Sequence, residues 1–153
     1  MAEDAVKPAE GVMRDGTHLF PLRVYFEDTD TAGIVYYANY LRFMERARSD
    51  MLRLAGIDQR GALEDGTGVY AVAEVQIRYK APAKLGDALT VATEIEAVRA
   101  ASVLIHQRVM RGREVLADAR VTAAFITLEG RPRRQPREWL ERFERLKKEE
   151  GST

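Results

Sequence analysis

Apolar residues in this chain recur with helical spacing in one long segment and with strand spacing in several others. Between Tyr37 and Ala55 they return every three or four positions, and a second apolar row widens the stripe. This pattern predicts a long helix over residues 37–55 that is covered on more than one side. Gly56 follows at the position where glycine commonly ends a helix.

Four later segments alternate apolar and polar residues, which is the two-residue period of a β-strand. The clearest covers residues 69–80, and the other three begin near Leu89, Val103 and Val115. Short breaks with turn residues separate these four strands, which predicts an antiparallel meander. An earlier strand is predicted over residues 19–26. One face of the clearest strand is expected to carry Val69, Ala71, Ala73, Val75, Ile77 and Tyr79.

The order of these elements is strand, long helix, then four strands, which predicts an α+β fold with one antiparallel sheet curved around its helix. A ferredoxin-like fold is the alternative, and it fits less well because no second core helix interrupts the last four strands. Residues 1–17 show no sustained period and are expected to be a disordered tail. Residues 18–130 form the predicted domain. Residues 131–153 are expected to be a basic linker and a charged helix.

Composition excludes several classes of function. The chain has 153 residues, which suits one domain, and its 24 Lys and Arg balance its 24 Asp and Glu. No net charge is therefore available to hold a nucleic acid. The chain has no cysteine, so disulfides and thiolate nucleophiles are excluded, and we expect a cytoplasmic protein. No segment approaches the ~20 apolar residues of a membrane-spanning helix.

The side chains available for catalysis are few. The chain has three serines, none in a nucleophile elbow, and two histidines, which make a poor metal site, so no metal is expected. Carboxylates remain, and Glu27, Asp28 and Asp30 lie together in the loop before the long helix. Asp28 or Asp30 could simply accept hydrogen bonds from free backbone N–H groups. Alternatively, a carboxylate attacks a carbonyl or activates water while helix amides stabilise the oxyanion. Spacing alone leaves both interpretations open.

Two segments resemble a known family. Residues 25–48, YFEDTDTAGIVYYANYLRFMERAR, resemble the signature of the 4-hydroxybenzoyl-CoA thioesterase family of hotdog-fold proteins, most of all its Tol-Pal-associated acyl-CoA thioesterase branch. Residues 77–87, IRYKAPAKLGD, resemble the family's strand and the turn that follows it. The resemblance implies an acyl-CoA thioesterase with a hotdog fold. It also implies a homo-oligomer, a dimer or tetramer, with acyl-CoA sites between subunits and no cofactor beyond the coenzyme A of the substrate.

The resemblance also implies roles for single residues. Asp30 matches the family's catalytic carboxylate, a nucleophile or a general base, and the backbone N–H of Tyr37 matches its oxyanion donor. Gly33 and Tyr36 are expected to contact substrate. Many members of the Tol-Pal-associated branch have histidine where this chain has Tyr37. An imidazole role is therefore excluded at that position, and a carboxylate with a backbone amide remains.

Glu45 competes with Asp30 as the catalytic carboxylate. Arg42 and Arg48 lie three residues away on either side, so an ion-paired structural role is expected for Glu45. His106 is expected on the sheet face away from the core, and His18 beside the tail.

Two other interpretations remain open. Arg131, Arg133, Arg134 and Arg137 could bind the phosphates of coenzyme A, although a solvated linker is the simpler interpretation. A non-catalytic module that binds acyl-CoA or a protein at the cell envelope is the alternative function, because one fold hosts many functions.

Overall fold

A computed structural model describes residues 5–147 of the chain. Within this range the chain forms six strands, three α-helices and a one-turn 3-10 helix. The predicted tail residues 1–4 and the predicted C-terminal residues 148–153 lie outside the described range. The elements are β1 (Val12–Arg14), β2 (Thr17–Arg23), the 3-10 helix (Phe26–Asp28), α1 (Asn39–Leu54), α2 (Gln59–Glu64), β3 (Val69–Tyr79), β4 (Ala88–Val98), β5 (Ser102–Arg111), β6 (Glu114–Ile126) and α3 (Arg137–Leu146).

The strands form a single sheet in the order β1-β2-β4-β5-β6-β3, and every neighbouring pair is antiparallel. Helix α1 packs on one face of this sheet. Phe43, Met44 and Ala47 of α1 share a buried cluster with apolar residues of β4, β5 and β6. The predicted α+β hotdog fold is confirmed. The predicted meander of four strands holds for β4-β5-β6 but is wrong for β3, because the chain crosses the sheet after β3 and this strand pairs with β6 and not with β4.

Helix α1 begins two residues later than its apolar spacing suggests. Asn39, Tyr40 and Leu41 donate backbone hydrogen bonds to residues three positions earlier, so a tight turn precedes the regular helix. Gly56, with φ of +79°, follows the helix as expected. No helix in the described part of the chain is long and apolar enough to cross a membrane.

Gln107 joins α1 to the sheet inside the core. Its side chain is fully buried, and its Nε2 donates to the carbonyl of Met44 at 2.9 Å and to the Thr93 hydroxyl at 3.0 Å. Its Oε1 accepts from Arg48 at 2.9 Å. Burial lowers the pKa of Arg48, and the negative charge of Glu45 partly opposes this shift. Gln107 therefore provides a partner for a largely desolvated guanidinium.

The N-terminal segment is more ordered than predicted. Val12–Arg14 pairs with β2, so the expectation of disorder over residues 1–17 fails at its C-terminal end. His18, expected beside a tail, is fully buried, and its Nε2 lies 2.7 Å from Asp50 of α1. Asp50 also accepts from the Gly11 amide at 2.9 Å. This buried polar contact links the β1–β2 hairpin to α1. The spacing of apolar residues in the sequence does not predict it.

A β-bulge at Ala73 changes which side chains of β3 face the core. Val72 pairs with Ala123, whereas Val75 pairs with Val121, and Ala73 has no partner. Paired residues share a face, so the inward side chains are Tyr70 and Val72 before the bulge and Val75, Ile77 and Tyr79 after it. The predicted face was wrong in its first half, because an unbroken two-residue period cannot include an extra residue.

The C-terminal segment packs on the domain and is not a solvated linker throughout. Gln135 is buried, and its Nε2 donates to the carbonyls of Arg99 and Ser102 at 2.8 and 3.2 Å. The Tyr70 hydroxyl donates to its Oε1. Arg133 donates to the carbonyls of Gly66 and Thr67, so this arginine is structural. These contacts hold α3 against the sheet end where Phe143 is buried.

Candidate active site

The loop between β2 and α1 forms a small hairpin whose tip carries Asp30. Thr29 bridges Val35, and the Asp30 amide donates to the Ile34 carbonyl at 2.9 Å. Gly33 turns the chain with φ of +78°, a conformation that favours glycine. A side chain added at Gly33 would meet no atom within 4 Å, so the space beside the turn is open.

Asp28 has a structural role in this loop. It is buried, and its Oδ2 accepts from the Tyr25 amide at 2.8 Å, across the 3-10 helix. Its carbonyl accepts from the Asn39 side chain at 2.8 Å and from the Tyr36 amide at 3.0 Å. Asp28 thus connects the hairpin to the start of α1, and the interpretation that it binds backbone N–H groups is confirmed.

Asp30 is exposed, and only part of its carboxylate is engaged. Oδ1 accepts from the Ala32 amide at 2.8 Å, which holds the side chain in a turn of its own. Within residues 5–147, no group donates to Oδ2. The backbone therefore orients one carboxylate oxygen of Asp30 and leaves the other exposed.

The backbone N–H of Tyr37 lies in the turn that leads into α1. Among the described residues, no acceptor takes this hydrogen or that of the next amide, Ala38, whereas the amides of Tyr36 and Asn39 are bonded. The Tyr79 hydroxyl donates to the Tyr37 carbonyl at 3.2 Å. Burial raises the pKa of Tyr79, which keeps this hydroxyl protonated. The Tyr37 N–H is thus a hydrogen-bond donor without an acceptor, and the contact with Tyr79 of β3 holds Tyr37 in place.

Aromatic rings surround this turn. The Tyr37 ring lies 4.9 Å from that of Tyr36 and 6.0 Å from that of Tyr79, measured between centroids. Tyr79 also meets Tyr40 edge to face at 5.4 Å. Tyr36, Tyr37 and Tyr79 are all exposed in the single chain. Tyr79 is not among the residues predicted for the site, although its position at the inward-facing end of β3 was a usable signal.

The loop over residues 81–87 is hydrogen-bonded to the hairpin that carries Asp30. The Val35 amide donates to the Ala83 carbonyl at 2.9 Å, and the Leu85 amide donates to the Gly33 carbonyl at 3.0 Å. Asp87 stabilises this loop, since its Oδ2 accepts from the Lys84 amide at 2.8 Å and from Arg111 at 2.7 Å. The two segments that carry the family resemblance are therefore adjacent.

Asp87 makes the stability of this region sensitive to acid. The hydrogen bond from the Lys84 amide, with Arg111, lowers the pKa of Asp87 below its ordinary value of 3.8. The stabilisation is complete above the unfolded-state pKa and is lost as the pH falls from about 4 through the folded-state pKa. We expect Asp87→Asn to lower the free energy of unfolding at pH 7 and to flatten its decline below pH 4. Urea unfolding at several pH values measures both, and parallel profiles for the two proteins would contradict the expectation.

Glu45 differs from its expected ion-paired role. Its Oε1 accepts from the Ser49 hydroxyl at 2.7 Å, and the ion pairs among residues 5–147 do not include it. The reason is that Arg48 points inward to Gln107. Glu45 instead lies at the edge of a cavity between the C-terminal half of α1 and β3.

This α1–β3 cavity has a volume of about 140 Å³. Its walls come from α1, α2, β3, β5, β6 and α3, and Asp30 does not line it. The pattern of apolar residues does not predict this cavity, because its boundary depends on the bulge at Ala73 and on the packing of α3. The lining residues include Glu45, Ser49, Met51, Gln59, Tyr70, Val72, Val103, Ile105, Ala123 and Phe143.

The histidines lie away from the hairpin. His106 is on the outer face of the sheet, as expected, with its Nε2 3.1 Å from Asp118. His18 is buried behind α1 beside Asp50. Neither is placed to act on a group held at Asp30.

Comparison with known proteins supports the assignment of the fold and family. Residues 24–145 match the model of the thioesterase-like superfamily. The chain is 41% identical to the acyl-CoA thioesterase YbgC of Haemophilus influenzae, over 88% of this chain and all of that protein. It is 36% identical to the acyl-CoA thioester hydrolase YbgC of Escherichia coli, over 81% of this chain and 93% of that protein.

A solved structure agrees with these relatives. The crystal structure of a probable thioesterase from Bartonella henselae superposes with a TM-score of 0.74 at 37% identity, and the match covers 78% of this chain and 99% of that one. The resemblance that the hairpin and the 81–87 loop carry is thereby confirmed, including its Tol-Pal-associated branch. The chain belongs to the thioesterase-like superfamily of hotdog proteins.

Proposed function

We propose that this protein is an acyl-CoA thioesterase, which uses water to convert an acyl-CoA thioester into a free acid and coenzyme A. The observation that carries the proposal is the junction of the hairpin and α1. There, an exposed carboxylate with one free oxygen and an unbonded backbone N–H belong to the same short segment. The YbgC relatives support the choice of substrate class, since their names describe this activity.

In the proposed reaction, Asp30 supplies the carboxylate and Tyr37 the oxyanion donor. As a nucleophile, Asp30 Oδ2 attacks the thioester carbon, the C–S bond breaks, and coenzyme A leaves as a thiolate that is then protonated. Water hydrolyses the resulting mixed anhydride and restores the carboxylate. As a general base, Asp30 instead takes a proton from the attacking water and returns it to the leaving sulfur. In both cases the Tyr37 N–H stabilises the negative carbonyl oxygen.

Gly33 and Tyr36 complete the proposed site as substrate contacts. The open space beside Gly33 lets a thioester approach the turn without meeting a side chain. The exposed ring of Tyr36 packs beside that of Tyr37 and offers an apolar surface next to the N–H donor. The reaction consumes only water, so the proposal includes no cofactor. We propose the cytoplasm as its compartment, since the chain has no cysteine for disulfides.

Release of free thiol from a panel of acyl-CoAs tests the proposal. Turnover of at least one acyl-CoA at a rate well above spontaneous hydrolysis is expected. Binding of acyl-CoA without thiol release would favour the alternative, a non-catalytic module that binds acyl-CoA or a protein at the cell envelope.

We also propose that the protein forms a homo-oligomer, a dimer or a tetramer built from dimers, through the free edge of β3. This strand has eleven residues and ends the sheet, so the backbone groups along its outer edge have no partner strand among residues 5–147. A long unpaired edge strand is otherwise an aggregation risk, which pairing with a second copy removes. Sedimentation velocity is expected to show at least twice the monomer mass, and a monomer at micromolar concentration would contradict the proposal.

A further inference from the structure

We infer that the α1–β3 cavity receives the far end of a straight apolar acyl chain, and that Phe143 sets the longest chain accepted. The inference rests on the proposed thioesterase function and names the substrate class for that site. It places the bond that breaks and the end of the chain at opposite ends of α1.

The volume and lining of the cavity suit the end of a hydrocarbon chain. Most of its lining side chains are apolar, among them Met51, Val103, Ile105 and Phe143, and the polar ones are Glu45, Arg48, Ser49 and Gln59. The volume of about 140 Å³ is close to the ~150 Å³ of an apolar cavity that stays dry and binds benzene. About six carbon atoms therefore fit, and they gain contacts that water would not make.

Exposed apolar side chains connect the proposed reaction centre to this cavity. The Tyr37 ring contacts Tyr79, and the inward face of β3 continues through Val75 to Val72, which lines the cavity. All three β3 residues are more than a third exposed, with Val72 at 50%. In a folded single chain this row has no covering segment among residues 5–147, and a bound acyl chain would cover it.

The length of this path selects for long chains. Glu45 is the first α1 residue that lines the cavity, and it follows Tyr37 by eight residues, or roughly 12 Å along a helix. Along β3 the separation from Tyr79 to Val72 is roughly 20 Å. A short or aromatic acyl group held at Tyr37 would end before the cavity. A medium-length to long unbranched chain reaches it.

Phe143 lines the cavity and shares a buried cluster with Met51 and Leu52, at the end of α1 away from Tyr37. Its side chain is 1% exposed, and its ring meets that of Tyr70 edge to face at 6.3 Å. Helix α3, which carries it, is held in place through Gln135, whose side chain accepts from the Tyr70 hydroxyl. The wall is thus packed from both sides, and a chain that is too long cannot displace it without separating α3 from the sheet.

Two substitutions change the cavity in opposite directions. Phe143→Leu shortens the end wall, and Ala123→Leu fills the cavity from β6. The profile of kcat/KM against the chain length of saturated acyl-CoAs should shift to longer chains in the first variant and to shorter chains in the second. Each buried methylene changes kcat/KM by about fourfold. A shift of two carbons therefore changes the ratio for a chain at the limit by roughly tenfold or more.

Phe43→Leu is the matched control, because Phe43 is as buried as Phe143 but belongs to the other core cluster and does not line the cavity. Its profile should keep the wild-type maximum. If no acyl-CoA is hydrolysed, the proposed function fails. If thiol is released but all variants share one length profile, or only short and aromatic acyl groups react, the inference is overturned while the function stands. Should Phe143→Leu not fold, an unshifted profile for Ala123→Leu overturns it.

Discussion

Replacing Asp30 by asparagine is expected to lower kcat by at least about a hundredfold and to leave the melting temperature unchanged. Removing a single group that stabilises or attacks the reacting centre commonly costs ~10² to 10³ in rate. The amide oxygen of asparagine keeps the hydrogen bond from the Ala32 amide, so the turn survives. Asparagine has neither a negative oxygen to attack a carbonyl nor a base to activate water. Steady-state thiol release and thermal unfolding measure the two effects.

Asp65→Asn is a matched control for this substitution. Asp65 is also exposed, and its Oδ1 accepts from the Thr67 amide at 2.8 Å, two residues on, as Asp30 accepts from Ala32. The same change of charge in the same kind of turn should leave kcat as it is. An Asp30→Asn enzyme with near wild-type turnover would assign the chemistry elsewhere, and loss of activity in Glu45→Gln would then identify the carboxylate.

Replacing Gln107 by leucine is expected to lower the free energy of unfolding by roughly 2 to 4 kcal/mol, the cost of a lost hydrogen bond to a charged group and of buried polar groups left without a partner. Leucine has a similar shape but no polar atoms. The largely desolvated guanidinium of Arg48 loses the Oε1 acceptor, and the Thr93 hydroxyl loses its donor. A loss of this size corresponds to a fall of about 10 °C in the melting temperature of a domain of this length. Urea denaturation and calorimetry measure it.

Gln76→Leu separates this effect from the general cost of removing an amide. Gln76 lies exposed on β3, where its side chain donates to Glu74 at 3.2 Å. Its replacement should change the free energy of unfolding by less than about 0.5 kcal/mol, as is usual for surface substitutions. Equal losses in the two variants would mean that the buried bridge between α1 and the sheet contributes little.

Sequence periodicity predicted the fold because the long helix and most strands each keep one face buried. Strands β4, β5 and β6 alternate over most of their length, with one unpaired residue each at Glu96 of β4 and Leu116 of β6. Helix α1 buries Phe43, Met44 and Ala47 as its spacing indicates. The prediction from periodicity failed where an extra residue in a strand interrupts the two-residue alternation. The extra residue at Ala73 exchanged the faces of β3.

Contacts between residues distant in the chain were also hidden from the sequence. The buried pair of His18 and Asp50 and the insertion of Gln135 among the carbonyls of another turn depend on tertiary packing. The candidate site was a different case. Composition pointed to a carboxylate, but only the family resemblance favoured Asp30 over Asp28, and the assignment of Asp30 and Tyr37 stays a prediction. Hydrogen bonds in the structure now give Asp28 a supporting role.

The two ends of the sheet differ greatly in length: β1 has three residues and β3 has eleven. Two copies joined along β3 would therefore present only a short strand at each outer end. A strand of three residues offers too few backbone N–H and C=O groups to pair with a third chain. Very short edge strands are one of the ways in which proteins avoid further pairing. Growth by strand addition would stop at two subunits, so the architecture protects a concentrated solution of this protein from forming fibres.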